Sequence, residues 1–260
     1  MAIVIAVANQ KGGTGKTTTT VTLGHRLALD GYHVLIVDTD VQGHVATALG
    51  MEKAPGIYRL VQWYQGLGNL LVVPARDNLD VIPSDKTTEP AKRILAGMDF
   101  RERVLADALT ELGGRYDVVL IDCAPSVDVL HVAALVAADF VLIPTKLDYL
   151  AVDGVKEVVS SIAEIRRRSG GNVRLLGILP TFFDRQTNET VTQLQELVRA
   201  FGNLVWSPIP VDTKLREAPA YGRTIWEYAP NSRGVTGIIN GSGKAIGGYK
   251  QAVAKVREVL

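Results

Sequence analysis

Lys11-Gly12-Gly13-Thr14-Gly15-Lys16-Thr17-Thr18 decides how this 260-residue chain is read. Ahead of it, Ile3 to Ala8 is an apolar run with the length of a buried strand. Behind it, Lys16 to Asp30 reads as a helix. Strand, glycine loop and helix form the frame in which backbone N–H groups cradle phosphate oxygens at the positive end of a helix dipole. In such a loop Lys16 reaches the β- and γ-phosphates and the Thr17 hydroxyl sits on Mg²⁺. Gly12, Gly13, Thr14, Gly15 and Thr18 complete the cradle. The loop departs from the usual spacing at one end. The position five before Gly15 is Gln10, and a second lysine, Lys11, stands ahead of two glycines. One loop needs one lysine for its own nucleotide, so Lys11 calls for a separate role.

Outward from this loop, short apolar runs alternate with helical patterns. Residues 3–8, 33–38, 79–84, 116–123, 140–145 and 173–180 read as strands. Several are nearly continuous in Val, Ile and Leu, as expected where both faces of a sheet are covered. Residues 16–30, 100–112, 129–137, 152–169 and 188–201 read as helices. The alternation predicts an α/β fold: a mostly parallel twisted sheet with helices on both faces, the architecture of a P-loop NTPase. Residues 1–260 read as a single such domain. Met51 to Asn78 is the least legible stretch and reads as a short helical excursion. Residues 237–248 contain five glycines, so the segment 234–248 is expected to be a flexible loop. Lys244 within it follows no strand and precedes no Thr or Ser, unlike a second phosphate loop. Residues 249–260 read as an amphipathic helix, which either packs on the domain or lies on a membrane.

Bulk properties narrow the class. Net charge is +1, so composition alone does not point to nucleic acid. The charge is unevenly spread: residues 1–150 carry 13 Lys/Arg against 17 Asp/Glu, and residues 151–260 carry 15 against 10. The basic second half either faces a polyanion or is simply solvated. The lone cysteine, Cys123, excludes an intramolecular disulfide and reads as a core thiol. No signal-like segment and no 18-residue apolar run occurs, which predicts a cytoplasmic protein.

The phosphate loop resembles the deviant Walker A box of the ParA/MinD ATPases, with Lys11 in the place of their signature lysine. Asp38-Thr39-Asp40-Val41-Gln42-Gly43 resembles the family's second acidic box, and Val118 to Pro125 its Walker B strand and following switch. The resemblance runs on through Glu217-Ala218-Pro219, covers nearly the whole chain, and fits the ParA branch best. It implies ATP and Mg²⁺ as cofactors. Lys11 then contacts the partner subunit's nucleotide, so that ATP holds a homodimer face to face. Lys11, Lys16 and Asp40 form the catalytic set, Asp40 orienting the attacking water. Thr17, Asp38 and Asp122 lie around the metal, and Thr181 and Pro210 around the base. The resemblance further implies nonspecific DNA binding, a ParB-like or other stimulating adaptor, and partition of a plasmid or chromosome or positioning of another cargo. Association with the nucleoid follows from the DNA binding. A membrane-cycling MinD-like regulator and a metabolic ATP-dependent ligase of the same fold are the alternatives. The single cysteine speaks against the related iron–sulfur ATPases.

Two stretches depart from the pattern. The family's Ile-Pro-Arg-Asn-Val-Arg-Leu run reads here Ile209-Pro210-Val211-Asp212-Thr213-Lys214-Leu215. An arginine is replaced by Val211 and a negative charge is added by Asp212, leaving Lys214 and Arg216 as candidate DNA contacts. Arg166-Arg167-Arg168 either compensates or complements a helix dipole. Thr145-Lys146-Leu147-Asp148 matches a short guanine-reading motif, but closes the strand next after Walker B rather than the second one after it. The strand at that place ends in Pro180-Thr181-Phe182-Phe183-Asp184-Arg185, which resembles the ParA segment near the base, so the sequence favours ATP over GTP.

Overall fold

The computed structural model describes residues 2–169, 171–239, 243 and 245–260. The apolar runs pair into one seven-stranded sheet. In chain order its strands are β1 (Ile3–Val7), β2 (Val34–Asp38), β3 (Val73–Arg76), β4 (Leu79–Ile82), β5 (Val118–Asp122), β6 (Phe140–Lys146) and β7 (Arg174–Thr181). Their spatial order is β3-β4-β2-β5-β1-β6-β7. All neighbours are parallel except β3, which pairs antiparallel with β4 at one edge.

Alternate residues of each central strand enter different cores, which explains the unbroken apolar runs. Val4, Ala6, Leu35, Val37, Val119 and Ile121 join the core on one face of the sheet. Ile5, Val34, Ile36, Val118 and Leu120 join the core on the other. Helix α1 (Lys16–Leu29) covers this second face through Val21, Leu23 and Leu27. It packs close: a Cβ added to Gly24 would lie 2.9 Å from Ile36 Cδ1.

The stretch 51–78 is more structured than a helical excursion. After α2 (His44–Ala48), it holds α3 (Gly56–Tyr64) and edge strand β3. Pro74 lies in β3, a position tolerated only at a sheet edge. Helices α4 (Thr88–Ala96), α5 (Val104–Glu111) and α6 (Val129–Ala137) flank β5, and α7 (Ala151–Ser169) crosses from β6 to β7. After α8 (Asn188–Phe201) the chain runs beside β7, with bridges Ile178–Val205 and Phe183–Pro210. It then enters α9 (Thr213–Ala220), α10 (Ile225–Tyr228) and α11 (Arg233–Thr236).

The glycine-rich segment expected as a flexible loop is partly regular. Short strands β8 (Ile238–Ile239) and β9 (Ala245–Ile246) pair antiparallel, and Lys244 lies outside the described residues. Its glycines serve close backbone approach. Gly237 has φ +86°, and a Cβ there would lie 2.4 Å from the Ile246 carbonyl oxygen. The final helix, α12 (Gly248–Arg257), buries Tyr249, Ala252, Val253 and Val256 in the α1-side core. Of the two readings for this amphipathic helix, packing on the domain is the one observed. Among the described residues no helix is long and apolar enough to cross a membrane.

The carboxyl ends of the parallel strands share one edge: Val7 and Asp38 both register with Asp122, and Lys146 registers with Thr181. Open α/β sheets bind ligands at this edge.

Candidate nucleotide site

The loop after β1 is pinned before it turns. Asn9 Nδ2 donates to the Pro144 carbonyl at 2.9 Å, and Asn9 Oδ1 accepts the Lys11 N–H at 2.9 Å. Gly13 (φ +71°) and Gly15 (φ +87°) take the left-handed conformations that turn the chain into α1. Gly15 is the N-cap of α1, whose first residue is Lys16. The Lys16 ammonium folds back to donate to the Lys11 carbonyl at 3.0 Å. Burial lowers its pKa, and the nearby Asp122 carboxylate opposes that shift. The Thr181 hydroxyl, from the end of β7, donates to the Thr14 carbonyl at 2.9 Å and ties the loop to the neighbouring wall.

Below the loop, two carboxylates stand in register on adjacent strands. Asp122 accepts from the Thr17 hydroxyl at 2.6 Å and from the Thr20 hydroxyl at 3.1 Å. Burial pushes its pKa up to about 6, against the pull of those hydroxyls and of Lys16. Asp38 is fully buried, and burial followed by repulsion from Asp122 raises its pKa well above the carboxylate range. Its oxygens accept the backbone N–H groups of Asp40 at 3.0 Å and Val45 at 3.1 Å. Asp38 therefore shapes the turn that carries Asp40. Among the described residues no cluster of three or more His, Cys, Asp or Glu forms a metal cage. A hydroxyl and a buried carboxylate beside a phosphate cradle nevertheless fit Mg²⁺, which takes few protein ligands and shares the phosphates and waters. A divalent cation there also relieves the repulsion between Asp38 and Asp122. Asp40 is half-buried at the mouth of the site, its carboxylate accepting the Gln42 N–H at 3.0 Å.

Lys11 points away from its own loop. Its ammonium pairs with Asp148 at 2.5 Å, with the two side chains 32% and 17% exposed. Asp148, the last residue of the Thr145–Asp148 tetrapeptide, is thus engaged with Lys11.

A cavity of about 220 Å³ opens beside the phosphate loop. Gly15 and Thr18 are part of its lining, with Thr181, Phe182, Ile209, Pro210, Val211, Asp212, Thr213, Leu215, Arg216 and Tyr249. Thr181 and Pro210, expected around the base, line this one cavity. The sequence did not single out Asn9, and it read Arg216 as a DNA contact. Arg216 is exposed at the cavity, while Lys214 pairs with Glu217 at 2.7 Å. Asp212, read as an added surface charge, caps α9 by accepting the Lys214 N–H at 2.9 Å and also takes the Gly234 N–H at 2.7 Å. Its negative charge is turned toward backbone amides.

Arg166 to Arg168 lie at the far end of α7, next to the start of β7 and opposite the site edge. Arg166 Nε donates to the Val173 carbonyl and Arg168 pairs with Glu164 at 2.8 Å. The run does not join Lys214 and Arg216 on one surface.

Residues 2–175 match a protein-family model described as an AAA domain. The chain is 36% identical over 238 residues to the sporulation initiation inhibitor protein Soj of Bacillus subtilis, covering 90% of this chain and 94% of that protein. It is 40% identical over 232 residues to the chromosome-partitioning ATPase Soj of Thermus thermophilus, covering 88% and 90%. Among solved structures, a cobyrinic acid a,c-diamide synthase of Mycobacterium smegmatis, with bound ATP analog and magnesium, superposes with a TM-score of 0.73 at 31% identity. That match covers 85% of this chain and 93% of the other.

Proposed function

The chain belongs to the AAA-domain family that its residues 2–175 match, and within it to the Soj-like ParA branch of the ParA/MinD ATPases; from this premise we propose an ATP-dependent dimer switch. Two copies close face to face on Mg-ATP, bind nonspecific DNA, and release it when a ParB-like adaptor stimulates slow hydrolysis. The cycle partitions a plasmid or chromosome, or positions another cargo, in the cytoplasm at the nucleoid.

The observation that carries this reading is the direction of Lys11. Its ammonium sits against Asp148, turned out of its own phosphate loop, while Lys16 fills that loop alone. A lysine so placed reaches a second molecule's phosphates by exchanging Asp148 for them. Lys16 and the loop amides hold the triphosphate. Thr17 and Asp122 hold Mg²⁺, which neutralises phosphate charge when bound. Asp38 fixes the turn from which Asp40 positions water. Burial of the apolar face of α12 favours DNA over a membrane as the counter-surface.

Sedimentation with and without Mg-ATP tests the switch. Lys11→Ala is expected to keep nucleotide binding and lose ATP-dependent dimers. Lys16→Ala is expected to lose about 100-fold in ATP affinity, the scale of charge-assisted bonds to phosphate. A Lys11→Ala protein that dimerised like wild type would remove the cross-subunit role. DNA-stimulated turnover separates the switch from a metabolic ligase.

A further inference from the structure

The carboxyl ends of β2 and β5 stay joined for one residue beyond their strand register, and the side chain of that residue helps to join them. Asp38 registers with Asp122, and the next N–H, that of Thr39, donates to the Asp122 carbonyl at 3.1 Å. The Thr39 hydroxyl donates to the same carbonyl oxygen at 2.9 Å. A hydroxyl that gives its proton away still has lone pairs to accept with. This one accepts the Ala124 N–H at 3.4 Å, the longest and weakest of these contacts. Thr39 is 1% exposed, which puts all of these groups out of reach of solvent.

Past this point the two segments part. One runs through Asp40 to Gly43, the other from Ala124 to the N-cap of α6 at Asp128. Each turn is anchored on its own side of the fold. Asp38 accepts the Asp40 N–H at 3.0 Å, and Lys53 donates to the Gln42 carbonyl. Asp128 takes the amides of Leu130 and His131 and pairs with Lys92 of α4 at 2.7 Å. Between the turns, among the described residues, the Thr39 hydroxyl is the one side-chain hydrogen-bond link. It connects the residue whose carboxylate takes Thr17 and Thr20 to the turn that presents Asp40.

We propose that Thr39 is a positioning residue, whose hydroxyl clips the Asp40 turn to Asp122 and to the turn after it, so that Asp40 is aimed from the frame that Asp122 fixes. The inference rests on the hydrolysis reading above, in which Asp40 positions water, and adds the residue that aims Asp40. The Thr39 hydrogen bonds go to backbone groups outside the phosphate loop. Loss of the hydroxyl therefore acts on turnover and not on the grip on ATP.

The test compares wild type with Thr39→Val, which keeps the shape and removes the hydroxyl, and with Thr39→Ser, which keeps the hydroxyl. Each is measured in single-turnover hydrolysis of Mg-ATP, in calorimetric titration with Mg-ATP, and in thermal unfolding. Misplacing a catalytic group by about 1 Å costs up to about 100-fold, so Thr39→Val is expected to slow turnover about tenfold, with ATP affinity within about twofold of wild type. Thr39→Ser is expected to recover most of the rate. Thr39→Ala, which removes the hydroxyl without adding bulk, repeats the comparison. A double-mutant cycle gives the deciding readout: in the Asp40→Ala background Thr39→Val slows turnover no further, because no carboxylate is left to aim. A hydroxyl that only stabilised the fold would lower Tm and give additive losses. Wild-type turnover in Thr39→Val, a serine variant as slow as the valine one, additive losses in the cycle, or ATP affinity falling in step with turnover overturns the positioning role. A wild-type chain that binds Mg-ATP without hydrolysing it, or Asp40→Ala at the wild-type rate, overturns the hydrolysis reading itself, and this inference with it.

Discussion

The phosphate-loop edge and the α9 face lie side by side, yet they commit their charges differently. At the first, the charged groups are tied into the fold. Lys16 donates to the loop, Asp122 takes two threonine hydroxyls, Asp38 takes two amides, and Lys11 reaches Asp148 across 137 residues of sequence. At the second, Lys214 pairs with Glu217 three residues away and lies over the Tyr228 ring, and exposed Arg216 has no carboxylate partner among the described residues. Exposed pairs of that kind contribute about 0–1 kcal/mol. A residue tied to partners from several strands is constrained by fold and chemistry together. One on an open helix face is constrained mainly by what docks there; of the departures at 211–214, Asp212 is the exception, tied to two backbone amides.

The contrast breaks most visibly at Asp40, the carboxylate of the first region with the least internal engagement. Asp40→Ala is expected to slow ATP turnover by about 100-fold, the lower range for a positioned proton-handling group, and to leave the ATP-bound dimer intact. Turnover at the wild-type rate, with dimers measured in parallel by sedimentation, would remove Asp40 from the reaction.

A smaller effect sharpens the contrast on the α9 face. Lys214→Glu places two carboxylates beside each other and should weaken random duplex DNA binding several-fold, lowering the salt slope by about 1 in gel-shift titrations. Arg216→Glu should weaken DNA and nucleotide together, because Arg216 borders the cavity. If both variants lost DNA equally with ATP affinity unchanged, the two residues would belong to one surface after all.

The smallest effect comes from a group behind the phosphate edge that escapes its rule. His131 on α6 is buried, and neither ring nitrogen has a partner among the described residues. Burial lowers its pKa below the usual histidine value, with Asp128 pulling it partly back. The unfolded chain therefore binds this proton more readily than the folded one. The sign follows: stability is full above pH of about 6.5 and falls as pH drops below it, by at most about 1.4 kcal/mol per pH unit for one group. Thermal unfolding from pH 7.5 to 5 should show a shallower acid loss for His131→Leu than for wild type. Parallel curves would mean that His131 binds its proton equally well folded and unfolded.

Sequence reading reached the elements whose pattern is local. β1, β2, β5 and β6 show their double-sided burial as unbroken Val, Ile and Leu, and the loop between β1 and α1 advertises itself by its glycines. What it missed was short or non-local. β3 has three half-buried residues interrupted by the exposed Pro74, and α2 has five residues after Gly43, too few for a helical period. The Lys11–Asp148 pair depends on β1 lying beside β6, which no spacing in the chain encodes. Phe182 was legible as part of the run 180–185, but its left-handed backbone, with φ +55°, was not. Lys214 and Arg216 were legible as cations but not as members of different neighbourhoods.

Cys123 closes the Walker B strand with 1% of its surface exposed, and burial and the adjacent Asp122 push its thiol's pKa far up. The native chain is thus silent toward maleimides and similar thiol reagents under native conditions. A single cysteine introduced at an exposed position such as Ser126, beside the turn that follows Asp122, becomes the sole attachment point for a dye. Fluorescence from that one label can then follow opening, closing and association in real time, with the native cysteine left in place.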